Sequence, residues 1–218
     1  MRHVLTAVTL LALLLPCCYA QDAPAKMIHI VVEMKGTDIP ADSFGAKPKT
    51  IWRAADKYCR IDEEPDPEQG IHATVIINEP DVWMVNLADK SARHIVDEGP
   101  TFNCRLPIFA TDQDTAKSKV GELEFGRELD FFKKNGARKI DGPKLSFEAN
   151  YFEVTFGKSS VLLVERVDIH APIMIAFVSG EKRLQVKYAL WEEIPFRLDL
   201  FAAPTGVKIE EAKAATSQ

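Results

Sequence analysis

Cysteine is scarce, and no motif is built from it. Four cysteines occur in 218 residues, two of them, Cys17 and Cys18, near the N-terminus. No C-x-x-C is present, which argues against a thioredoxin-type redox pair or a zinc site. No Gly-rich phosphate loop exists, and Gly99-Pro100 reads as a turn rather than a cradle. G-x-S-x-G is absent, so Ser159-Ser160 after Gly157 is not a nucleophile elbow. Basic residues gather only in short pairs such as Lys133-Lys134 and the net charge is −5, so the electrostatic footprint of a nucleic-acid binder is missing. Beyond the first twenty residues the longest uncharged stretch, Ile169 to Gly180, holds Pro172 and is too short to span a bilayer. There is no internal repeat and no interdomain linker.

What is present is an ordinary globular balance, 46% hydrophobic and 27% charged. A chain of this length buries roughly 70% of its unfolded surface and needs no metal to fold. The N-terminus has a different character. Arg2 precedes an apolar run from Val4 to Leu15, Pro16 ends it, and Cys18-Tyr19-Ala20 places small residues before Gln21. This pattern is that of a secretory signal cleaved after Ala20, with export to the periplasm or the extracellular space. Removal of the signal takes away one base and no acid, so the net charge moves from −5 to −6. A lipid anchor at Cys17 is the weaker alternative, because Pro16 stands where lipoprotein signals place a small residue. Cys59 and Cys104 then remain in an oxidising compartment. They most simply form one disulfide, worth about 4 kcal/mol by loop entropy; two buried thiols or a metal pair are the alternatives.

The hydropathy pattern is mostly of period two. Ile28, Ile30, Val32 and Met34 alternate with His29, Glu33 and Lys35, and Leu184, Val186, Tyr188 and Leu190 alternate with Arg183, Gln185 and Lys187. Both are half-buried strands. Trp83, Val85 and Leu87 follow the same rule, and Thr74 to Ile77, Tyr151 to Phe156 and Val161 to Val167 are β-branched or aromatic runs of strand length. Turn residues separate them at Ala55-Asp56, Asn78 to Asp81, Ala88 to Lys90, Gly157 to Ser159 and Ser179 to Glu181. Strands at this rhythm make an antiparallel sandwich or barrel. One helix is predicted from about Val120 to Asn135, with Phe125, Leu129 and Phe132 on one stripe, Lys133-Lys134 at its C-terminal end and Asn135-Gly136 as its cap. A poorer helix is predicted near Asp114 to Lys119. The tail after Ile209 is polar and reads as fraying, and residues 212–218 are assigned to it.

Three stretches carry a family resemblance. Lys49-Thr50-Ile51-Trp52-Arg53 through Lys57-Tyr58-Cys59-Arg60-Ile61-Asp62 resembles an early strand pair of the LolA/LolB lipoprotein-localisation superfamily. Asn78-Glu79-Pro80-Asp81-Val82-Trp83-Met84-Val85-Asn86 resembles its turn, Trp and short strand, and Leu200 to Lys208 resembles its closing F-x-x-P-x-G segment. A nearer kinship is with small uncharacterised secreted bacterial proteins. The resemblance spans 26–211 in layout and implies a single mainly β (α+β) domain: a curved, unclosed antiparallel β-barrel, a LolA-like half-barrel, with one or two helices over its concave face. In the carriers of that superfamily the concave side holds acyl chains. No ligand residue carries over, because no motif pins one.

The remaining candidates are weighed residue by residue. His29, His72, His94 and His170 lack close ligand spacing, so they read as scattered strand and turn histidines rather than a metal centre, although His72, His94 and Asp97 could meet across a sheet. The acidic run Asp62 to Glu68 lacks the glycine and rhythm of a calcium loop and reads as a solvated turn. The expected function is non-enzymatic binding of an acyl chain, a lipoprotein or another apolar ligand, with no cofactor and no metal. Trp83, Phe125, Leu129 and Phe132 are the expected cavity wall. An envelope interaction module with a filled core is the first alternative, with an envelope protein as partner; a hydrolase with a dispersed site is the second. A cavity filled by the chain's own side chains separates the first two.

Overall fold

The computed structural model describes residues 23–37, 39–40, 43–97, 103–105 and 119–213. The signal segment, Cys17 and Gly99-Pro100 lie outside them, as does the poorer helix up to Lys119. Six strands come first: β1 (Lys26–Gly36), β2 (Lys49–Ala54), β3 (Tyr58–Glu63), β4 (Ala73–Asn78), β5 (Asp81–Asn86) and β6 (Ser91–Val96). A 3-10 turn at Lys119–Glu122 and helix α1 (Glu128–Lys134) follow. Then come β7 (Arg138–Ile140), β8 (Ala149–Phe156), β9 (Ser159–Arg166), β10 (Ala171–Ser179), β11 (Lys182–Pro195) and β12 (Lys208–Lys213).

All twelve strands join one sheet in the order β12-β6-β5-β4-β3-β2-β1-β11-β10-β9-β8-β7. Tight turns join β2 to β3, β4 to β5, β5 to β6, β8 to β9 and β10 to β11 where the sequence places turn residues, and each of these pairs is antiparallel. β1 is the seam: it pairs with β2 on one side and with β11 on the other, joining the two meanders. The sheet curves but does not close, with β7 and β12 at its edges. The period-two pattern implies a mainly β antiparallel fold, and the resemblance implies the unclosed half-barrel that is seen.

Alternation sorts side chains onto two faces. Ile30, Val32, Ile51, Ile61, Ile77, Leu163, Ile175 and Val186 point to the inner face and form the main core with Val120, Leu123, Phe125, Phe131 and Phe132 of the segment that covers it. The outer face carries two smaller clusters, Ile76, Trp83, Val85 and Ala92 in one and Met27, Ala54 and Phe201 in the other. After β11 the chain crosses this outer face as a strap. Phe196, Leu200 and Phe201 pack against Met27, Trp52 and Tyr58, and Arg60 and Asn78 donate to the carbonyls of Leu200 and Phe201 at 3.1 and 3.4 Å.

Two expectations are corrected. The helix predicted over Val120 to Asn135 is interrupted. Gly126 has φ +84°, outside the helical region, and the Arg53 guanidinium takes the Phe125 carbonyl at 3.0 Å, the acceptor that a continuous helix would offer to Leu129. Only Glu128–Lys134 is α-helical, and it ends at Asn135-Gly136. The tail does not fray from Ile209. Lys208–Lys213 pairs with β6 in parallel, over six residues, because the strap delivers it to an open strand edge. Residues 214–218 lie outside those described.

Candidate functional site

The feature to build upward is the cover on the inner face, from Lys119 to Lys134. Its apolar side chains are seated: Val120, Leu123 and Phe125 are 0% exposed and Phe132 is 2% exposed. Leu129 packs at the margin of the same cluster, and Phe131 meets Phe156 of β8 edge-on at 6.2 Å. Three predicted cavity residues, Phe125, Leu129 and Phe132, are therefore brought together. The fourth is not. Trp83 sits on the outer face, stacked on His94 at 5.2 Å with an interplanar angle of 14°. Its neighbour Val82 faces inward, so the parity of β5 decides the matter.

Several groups fasten the cover, among them an Arg127–Asp56 ion pair to the β2–β3 turn. The Cys59–Cys104 disulfide, with Cα atoms 5.7 Å apart, ties the chain to β3, and the Phe125 N–H donates to the Cys104 carbonyl at 2.9 Å. Arg53 of β2, almost wholly buried, donates to the Phe125 carbonyl at 3.0 Å and to Glu124. Glu128 is 2% exposed and accepts from Tyr188 of β11 at 2.7 Å and from the Gly126 N–H at 2.9 Å. Burial pushes the Glu128 carboxyl above its ordinary range, and the hydrogen bonds from Gly126 and Tyr188 only partly oppose it. Burial also holds the Tyr188 hydroxyl well above its usual value, with the Glu128 charge adding to the effect. The sequence reading missed Arg53, Glu128 and Tyr188. One signal was visible: Glu128 lies three residues after Phe125 and four before Phe132, on the apolar side of the predicted stripe.

Two clefts open beside the cover. One, of about 380 Å³, is lined by Lys26, Arg53, Arg127, Asp130 and Glu193 among others. The second, of about 420 Å³, is lined by Arg105, Glu122, Glu124, Arg127, Asp130, Phe131 and Lys134. Charged side chains make up half of the first wall and nearly all of the second, which suits polar contacts.

The other candidates have structural surroundings. His94 lies between Asp81 at 2.9 Å and Glu211 at 2.7 Å. Burial draws its pKa down, but the two carboxylates outweigh that and leave it raised. His29 stacks on Trp52 at 5.2 Å and meets Glu192 at 2.9 Å. No group of three His, Cys, Asp or Glu among the described residues is arranged to hold a metal. The acidic run Asp62 to Glu68 is not simply a solvated turn. Asp66 is 6% exposed, accepts from the Gln69 N–H at 3.2 Å and pairs with Lys47 at 3.3 Å. Glu63 pairs with Lys49 at 3.5 Å, both largely buried. Burial lowers the Lys49 pKa and raises that of Glu63, with their mutual attraction opposing both shifts. Beside the Asn78–Asp81 turn, burial and then the charge of Asp97 raise the Glu79 carboxyl.

No family model matches this sequence, and no curated protein matches it. Among solved structures, an uncharacterised conserved protein from Thermus thermophilus is 9% identical, with 85% of this chain and 90% of that chain covered and a TM-score of 0.53. MucA/MucB of Pseudomonas aeruginosa follows at 8% identity and a TM-score of 0.47, over 85% of this chain and 58% of that one. A DUF1329 family protein from Desulfovibrio piger is 8% identical at a TM-score of 0.30, over 83% and 91%. With the Thermus protein this chain shares a fold.

Proposed function

We propose that this chain is an exported, non-enzymatic binding module of the cell envelope that recognises another macromolecule, with a LolA-like half-barrel whose inner face is filled by its own side chains. The observation that carries the reading is the closure of that face. Val120, Leu123, Phe125 and Phe132 occupy the place an apolar ligand would take, at 0 to 2% exposure. Export is supported by the signal pattern of residues 1–20 and by the disulfide. Non-enzymatic action is supported by polar groups that are spent on each other: Arg53, Glu128, Tyr188 and His94 all hold structure together.

A second reading keeps the acyl chain or lipoprotein as cargo, with the cover as a lid. One observation favours it. The helical part of the cover is only seven residues long, and its polar ties include Arg53, the Glu128–Tyr188 pair and the Arg127–Asp56 ion pair. Native mass spectrometry of the processed protein, purified without detergent from a periplasm and compared with the denatured sample, separates the two. A bare protein mass is expected. Lipid-sized adducts that vanish on denaturation would overturn the filled-core reading in favour of the carrier and name the ligand class.

A further inference from the structure

β12 is held unlike the other strands. It pairs in parallel, whereas the other strand pairings are antiparallel, and parallel pairing is slightly weaker per residue. Its sequence, Lys208-Ile209-Glu210-Glu211-Ala212-Lys213, is made mostly of residues depleted in strands. The strap is anchored as far as the fully buried Phe201. Beyond it Ala202, Ala203, Thr205 and Gly206 are exposed, and Gly206 has φ +73°. The strand thus hangs from a thinly attached link. Its ladder opens with the Lys208 N–H on the Lys90 carbonyl at 2.8 Å.

The seat beneath it is built from other elements. The β6 edge supplies backbone donors and acceptors. Trp83, Val85, Ile76 and Ala92 form an apolar shelf, against which Val207 packs. His94 rests on the Trp83 ring with its Nε2 fixed by Asp81 at 2.9 Å, which leaves Nδ1 directed at β12, where it meets Glu211 at 2.7 Å. An open edge, an apolar shelf and an imidazole aimed at one strand position together read an extended segment with an apolar residue followed by a carboxylate.

We infer that the β6 edge is an acceptor site for an extended segment of a partner protein that places a carboxylate against His94, and that β12 is the chain's own occupant of that site. The inference rests on the interaction reading above and names the partner's chemistry. A second copy fits less well than a free segment. The six residues from Ala202 to Val207 reach about 20 Å at full extension, and Phe201 is buried on its own sheet, so β12 of another copy can reach this edge only when the two copies lie within that span. A partner segment carries no such tether.

The test uses the full-length processed protein and a fluorescent peptide with the sequence of residues 204–213 as probe. Glu211→Gln in the protein loosens its own strand and leaves the seat intact; Glu210→Pro loosens it by a different route, through a lost ladder hydrogen bond. Both variants are expected to bind the peptide about tenfold more tightly than wild type, roughly the worth of one charge-assisted hydrogen bond. A peptide with Gln in place of Glu211, or a protein with His94→Gln added, is expected to lose that gain. Hydrogen exchange at β4 and β5 checks that each variant is folded. Failure of both folded variants to bind, or binding indifferent to the peptide carboxylate, overturns the acceptor site. Dimers of the loosened variants in light scattering overturn the partner as occupant in favour of a second copy. These failures remove only this seat; lipid adducts in the native spectrum would remove the interaction reading itself.

Discussion

Glu128 shows what one buried carboxyl does here. It accepts from Tyr188 and Gly126 with 2% exposure, and burial raises its pKa. A raised carboxyl favours the folded state at pH below its unfolded value, about 4.3, and that contribution is lost as pH rises through the folded value. Glu128→Gln keeps an acceptor for both donors without the charge. Its stability relative to wild type is expected to increase from pH 4 toward neutrality, as measured by urea unfolding at about pH 4 and about pH 7. Glu128→Ala leaves the Tyr188 hydroxyl buried and unpaired, and is expected to cost about 1–3 kcal/mol. Equal losses for the two variants would show that Glu128 is not the fastener described. His94 also has a raised pKa, here through Asp81 and Glu211 against the pull of burial. Its contribution is fully present below about pH 6.5 and is lost as pH rises through the folded value. Amide protection in β12 is therefore expected to hold below about pH 6.5 and to fall as pH rises above it, and His94→Gln to flatten that dependence.

The cover is the element on which the functional readings divide. Phe132, 2% exposed, packs it onto the inner face, and Phe132→Ala is expected to cost about 3–5 kcal/mol. Gly126 is its hinge point. At φ +84° a Cβ there is strained and would lie 3.1 Å from Arg53 Cδ. Gly126→Ala is expected to cost about 1–2 kcal/mol, with Asn, which tolerates this conformation better, losing less. The disulfide closes a sequence separation of 45 residues. Replacing both cysteines by serine is expected to lower stability by about 4 kcal/mol, read from denaturant midpoints. A change below about 1 kcal/mol would mean that Arg53 and Glu128 hold the cover without it.

At the scale of the whole molecule, one sheet serves an inner core and two outer clusters. Phe132 lies in the inner core and Trp83 in an outer cluster. Losses from Phe132→Ala and Trp83→Ala are therefore expected to add within about 0.5 kcal/mol in the double variant. A larger coupling would mean that the shelf beside β12 and the cover communicate through the sheet. The two faces also explain how far the site was legible. Phe125, Leu129 and Phe132 come together in the inner core because a stripe of large apolar residues needs a partner surface whatever the local backbone does. Trp83 was misassigned to the same wall because alternation states that Val82 and Trp83 face opposite ways, but not which way is in. Arg53, Glu128 and Tyr188 were missed because they lie 60 residues or more apart in pairs, and no local pattern links them.

Local physics accounts for the strands, most of their turns and a mainly β antiparallel architecture, and the resemblance adds the unclosed half-barrel. Side-chain alternation and turn chemistry act over a few residues, and those are written directly in the chain. The candidate disulfide was also within reach, since only two cysteines follow the signal segment. Tertiary structure alone decided the rest. It set Gly126 at positive φ and handed the Phe125 carbonyl to Arg53, which cut a long predicted helix to seven residues. It also turned a tail of Glu, Ala and Lys into β12, because an unpaired strand edge and a half-buried histidine outweigh weak intrinsic preferences.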